Sequence, residues 1–100
     1  MKLPIRFLPE AQVEFDEAVD FYEGRRRGLG KQFVAKVREV LKTLAKNPKR
    51  HGVVYQSVRK SVLRKFPYII LYQEEPSDVL IISVFHCSRD PAIWMARVRL

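Results

Sequence analysis

Three features of this 100-residue chain predict an α+β domain: an N-terminal strand, then an antiparallel helical hairpin packed on a small antiparallel sheet of three to four strands. Two apolar runs, 66–72 and 79–86, flank a polar turn of Glu74, Glu75, Pro76, Ser77 and Asp78, the pattern of a β-hairpin. Neither run alternates cleanly, so both faces are expected to be covered and both strands to be central. Upstream, two stretches carry apolar residues at helical spacing and are joined by a short turn, which predicts paired helices whose stripes need a surface to cover.

Taken in order, Leu3, Ile5 and Phe7 alternate weakly against Lys2 and Arg6, and Pro4 suits a strand start or an edge. Pro9 and Glu10 open a helix, since Pro is accepted at the first helical position and Glu complements the positive end of the dipole. Leu8 supplies no capping oxygen. Ala11, Phe15, Ala18 and Tyr22 share one helical face, while Glu10, Glu14, Glu17 and Asp20 share another, expected to meet solvent or the protein's own bases. Gly24 is expected to end this helix, and Arg25, Arg26, Arg27, Gly28, Leu29 and Gly30 form a basic turn. Phe33, Val37, Val40, Leu41 and Leu44 mark the second helix, which Asn47-Pro48 stops. Lys49 to Gln56 reads as an irregular segment containing a basic loop, and Val58 to Leu63 as a shorter strand. From Phe66 to Tyr72 the aromatic and β-branched residues suit a pleated surface. Val79 to Phe85 is apolar except for Ser83.

A chain of 11.8 kDa makes one domain, 1–100, and buries roughly 65% of its unfolded surface, enough for a single core. No run approaches the ~18 apolar residues of a membrane span, and Met1 to Pro9 shows no signal peptide, so a cytoplasmic protein without a membrane partner is expected. Cys87 stands alone, which excludes an internal disulfide and disfavours a cysteine-based metal cluster. His51 and His86 have no metal-ligand spacing, and neither a Gly-rich phosphate cradle nor a Ser-His-Asp arrangement is present, so no metal or cofactor is expected. The net charge of +8 is unevenly placed: residues 1–23 hold two bases and six acids, whereas residues 24–100 hold seventeen bases and five acids, a net +12. Such a basic remainder points to a polyanionic partner, nucleic acid or an acidic protein segment, although basic residues also simply keep small domains soluble.

With the strands paired in this way, one end of the sheet is expected to gather Arg59, Lys60, Arg64, Lys65, His86 and Arg89, near Tyr68 or Tyr72. A metal-free ribonuclease needs one group to take a proton, another to return it, and arginines to stabilise the phosphorane. His86 is the natural acid or base and Arg64 its charged companion. The plainer reading is a histidine that ends a strand and is satisfied by a backbone carbonyl. It has the advantage that no carboxylate is expected in this basic cluster, and a tyrosine base would need its pKa of about 10 lowered. Cys87 beside His86 faces the opposite way in a strand, so the two do not act as a pair.

Pro9-Glu10-Ala11 opening an acidic helix, Leu29-Gly30-Lys31-Gln32-Phe33 opening a second, Asn47-Pro48 closing it, Phe66-Pro67-Tyr68 entering a strand, and His86 followed by Arg89-Asp90-Pro91 and Trp94 together resemble the RelE/ParE superfamily of bacterial toxins. The resemblance covers nearly the whole chain. It implies a helical hairpin on an antiparallel sheet, neutralisation by a cognate antitoxin, and growth arrest either by ribosome-dependent mRNA cleavage or by poisoning of DNA gyrase. The mRNA-cleaving members commonly carry an arginine directly after the tyrosine of the central strand and a tyrosine or histidine near the C-terminus. Here Ile69 follows Tyr68, and Trp94 to Leu100 contains neither residue. The exit through Arg89-Asp90-Pro91 to Trp94 is similar to the non-nucleolytic ParE, or plasmid-stabilisation, branch. The resemblance therefore implies a gyrase-binding toxin, with a ribosome-dependent endoribonuclease using His86 and Arg64 as the alternative. Arg59, Lys60, Arg64, Lys65, Arg89 and Trp94 are the expected contacts to the target or to an antitoxin, whose segment should be acidic and amphipathic to lie on a basic, partly apolar surface. Trp94 itself is expected to pack on the sheet or the helical hairpin.

Overall fold

The computed structural model describes residues 2–98. It contains β1 (Ile5–Phe7), α1 (Pro9–Arg25), α2 (Leu29–Lys46), β2 (Val53–Tyr55), β3 (Val58–Val62), β4 (Tyr68–Glu74), β5 (Val79–His86) and a short α3 (Ala92–Met95). The sheet has five strands in the order β1-β5-β4-β3-β2. This corrects the expected strand count and the expected all-antiparallel pairing. β2 arises inside the segment read as irregular, and β1 runs parallel to β5. The parallel pair is possible because the helical hairpin provides the long crossover that parallel strands require. Pro4 accepts from the N–H of Val79 at 2.9 Å and the N–H of Leu8 reaches Ile81 O at 3.0 Å, so the proline sits at the strand start, where its missing donor costs nothing.

The helix boundaries follow local chemistry. Pro9 occupies the first turn of α1 and Leu8 makes no side-chain cap. α1 runs through Gly24 to Arg25, one residue beyond its expected end. Gly28, at φ 87°, takes the left-handed conformation that reverses the chain. The carboxylate of Glu23 accepts from the N–H groups of Gly28 and Gly30 at 2.9 and 3.0 Å, satisfying the open N-terminus of α2 that Gly28 itself cannot cap. At Gly30 the two helices approach so closely that a Cβ would stand 2.9 Å from Val19 O. Asn47 ends α2, and Tyr72 Oη donates to Pro48 O at 2.8 Å, tying the helix stop to the sheet.

Both sheet faces are covered. Ala11, Ala18, Phe33, Val37 and Leu44 of the helices pack on Ile70, Tyr72, Ile81 and Val84. On the other face Trp94, 5% exposed, packs with Val58, Leu71, Ile82 and Phe85. The chain thus supplies from its own α3 much of the second cover that the apolar strands demand. Between Leu71 and Tyr72 the β4–β5 register skips Ile82, a bulge that accounts for the broken alternation of the second apolar run.

Candidate functional site

The expected basic cluster does not assemble, because strand register and face separate its members. Arg59 pairs with Tyr72, toward the far end of the sheet from His86, which pairs with Tyr68. The Arg59 guanidinium donates to His51 O at 2.6 Å and so holds the loop before β2. Lys60 borders a depression with Ile69, Cys87 and Trp94 on the α3 side of the sheet. Arg64 leaves β3 toward α2, lining a different depression with Lys36, Arg50 and His51. Lys65 is exposed in the turn that follows, at φ 71°. His86 and Arg89 remain together against α1, and Arg89 also borders the depression of Lys60 and Trp94 on the other side of the sheet.

Around His86 the geometry is well defined. Its ring meets Tyr68 edge-on, with centroids 5.0 Å apart. Nδ1 accepts the N–H of Ser88 at 3.0 Å and lies 2.8 Å from Ser88 Oγ, so in the neutral ring the proton sits on Nε2. Burial raises the Tyr68 phenol above its ordinary range, with Tyr22 adding to the effect and Arg89 opposing it. A phenol held in this way is a poor base. His86 and Cys87 open onto opposite sides of the sheet, as strand alternation requires.

A carboxylate missed by the sequence reading lies beside this pair. Glu14 projects from α1 between the buried Ala11 and Ala18 onto β5, and its side chain is only 9% exposed. It accepts from Ser83 Oγ at 2.8 Å, from the N–H of Val84 at 3.2 Å, from Arg89 Nη1 at 3.1 Å and from both Arg97 Nη atoms at 2.9 Å. Arg97 also donates to Ile82 O at 3.1 Å, and its hydrogen bond to Glu14 raises an already high pKa. The sequence did carry a signal: Ala11, Glu14 and Ala18 are spaced by three and four, which places Glu14 in the stripe of small buried residues rather than on the outer acidic face. Among the described residues, no group of three or more His, Cys, Asp or Glu could hold a metal ion, and no helix is long and apolar enough to cross a membrane.

No curated protein matches this chain. Among solved structures, the fold is similar to a chain described as the chromosomal ParDE TA system from P. aeruginosa, with a TM-score of 0.74 at 15% identity, covering 85% of this chain and 96% of that one. Residues 5–91 match the model of the family described as the ParE toxin of type II toxin-antitoxin system, parDE, a span that takes in all five strands and both long helices. With the family thus matched over most of its length, and with the hairpin-on-sheet architecture its motifs imply, the chain belongs to the ParE toxin family of type II toxin–antitoxin systems.

Proposed function

We propose that this toxin arrests growth in the cytoplasm by binding DNA gyrase without catalytic turnover, and that a cognate antitoxin neutralises it. The observation that supports this reading is the commitment of Glu14: of the two carboxylates that line the depression of His86, Glu14 is held by Arg89, Arg97, Ser83 and Val84 and so is not free to take a proton, while Glu17 stands exposed on the outer face of α1. The raised Tyr68 phenol offers no substitute base, and Arg64 opens onto a different depression from His86. A supercoiling assay with purified gyrase, run beside primer extension on mRNA from induced cells, tests the proposal. Inhibited supercoiling with intact transcripts is expected. Site-specific mRNA cuts with undisturbed supercoiling would overturn it in favour of a ribosome-dependent endoribonuclease using His86.

The antitoxin segment is acidic and amphipathic in this proposal. Val53, Val54 and Val62 remain exposed among the described residues, and Lys60, Arg64 and Lys65 lie near them without ion-pair partners. Arg59 and Arg89 are engaged within the fold and contribute less than their positions in the sequence suggest. Association should slow with rising salt as the charges are screened, whereas apolar truncations at Val54 or Val62 should act mainly on dissociation.

A further inference from the structure

Away from Glu14, unneutralised positive charge surrounds a notch of about 270 Å³ between α2 and the outer edge of β3. The notch exists because β2 is short. It pairs with β3 only at Val58 and Arg59, so the rest of β3 runs on past its neighbour. Lys60 N–H reaches back to Gly52 O at 3.4 Å, and by strand alternation the next outward-pointing N–H is that of Val62, beyond the end of β2. Lys36 stands on the helical wall, and Arg50, His51 and Arg64 stand on the others. Among the described residues Arg50 and Arg64 make no ion pair, and the one acid lining the notch, Glu39, lies 3.6 Å from Lys36 and is itself exposed. Burial, and then the charge of Arg50, hold His51 below its ordinary pKa. α2 itself carries Lys31, Lys36, Arg38, Lys42 and Lys46 against one acid of its own, Glu39, with Glu23 of α1 alongside Lys31, Arg38 and Lys42.

We propose that this notch docks the phosphodiester backbone of duplex DNA, with Arg50, Arg64 and Lys36 on phosphate oxygens. The inference rests on the topoisomerase reading above, because such a target meets the toxin with DNA already in place. Guanidinium groups match phosphate bidentately, and cations on opposing walls receive a narrow anionic ridge better than a flat acidic surface. The backbone contact supplies affinity and orientation without base specificity.

The test is binding of the intact toxin to a short fluorescent DNA duplex, followed by anisotropy across a salt series. Three phosphate contacts predict a slope of log K against log salt of about −2.7, and R50A/R64A should lessen that slope by about 1.8 and weaken low-salt binding by about tenfold or more. R50K/R64K should restore most of the slope, which separates lost charge from lost structure. R26A/R27A, in the basic turn between the helices, should bind as wild type. The proposal is overturned if the wild-type toxin fails to bind at low salt, or if R26A/R27A loses as much as R50A/R64A. The supercoiling assay separates the two readings. Gyrase inhibition without DNA binding removes the notch as a DNA site and leaves the target, whereas groove-dependent DNA binding without inhibition supports the notch and removes the target.

Discussion

Arg89 and Arg97 differ from Arg50 and Arg64 in everything except residue type. The first two converge on a carboxylate that is 9% exposed and is also hydrogen-bonded to the sheet, so one charge is matched inside the fold and both guanidinium groups are held in place. The second two line an open notch with no ion-pair partner among the described residues. A buried charge must be matched where it stands, so Glu14 ties α1, β5 and the segment after α3 to one another. An exposed charge left unmatched contributes little to folding and remains available for association.

The contrast is broken most directly at Glu14. Glu14→Ala leaves Arg97 without its partner and strips acceptors from Ser83 and Val84, and should cost about 3–5 kcal/mol by urea denaturation. A loss below about 1 kcal/mol would mean that the pair is solvated and that the two regions do not differ in kind. Trp94→Ala should cost about 3 kcal/mol or more, because the indole is the largest side chain covering the second sheet face. An unchanged midpoint would make Trp94 a surface contact for a partner instead. Gly30→Ala should cost about 1–3 kcal/mol through the clash with Val19 O, and an unchanged stability would show that the hairpin opens freely at its turn.

Smaller still is the effect of His51. Its folded pKa is lowered by burial and by Arg50, so the unfolded chain takes up the proton more readily. The associated stability is present above the ordinary value of about 6.5 and is lost as pH falls from there through the folded pKa. His51→Asn should flatten the stability profile in that acid window, and an identical slope in the variant would refute the assignment. Least of all, R50A/R64A should change stability by no more than about 0.5 kcal/mol, several-fold less than Glu14→Ala. A large loss in R50A/R64A would erase the distinction between the two sets of arginines.

Much of the architecture could be read from spacing. The stripes Ala11, Phe15, Ala18, Tyr22 and Phe33, Val37, Val40, Leu41, Leu44 gave both helices, and the apolar runs around Glu74–Asp78 gave the central hairpin. β2 escaped because three residues, Val53–Tyr55, are too few to show a period and have Gly52 just before them. The parallel partnership of β1 escaped because nothing local in Ile5–Phe7 specifies a partner more than seventy residues away. The site was harder. His86 and Arg89 line one depression and Lys60, Arg89 and Trp94 another, but residue type alone cannot separate Arg59, whose guanidinium holds a loop carbonyl, from Arg64, which has no ion-pair partner among the described residues. Glu14 was grouped with the acidic face although its spacing from Ala11 and Ala18 put it between buried positions.

The parallel pairing of β1 with β5 also bears on synthesis. Ile5–Phe7 finds its strand partner in Val79–Ile81, and Glu14 finds Arg97 83 residues downstream. Contacts of such long separation cannot form while the chain is still emerging, at about 5–20 residues per second, and loops of that length close slowly. A nascent chain halted before residue 79 has its helical hairpin but no mate for its first strand, and one halted before residue 97 lacks the arginine clasp. The complete fold is therefore withheld until synthesis has passed residue 97, and translation interrupted before that point leaves an unfinished domain fit for degradation.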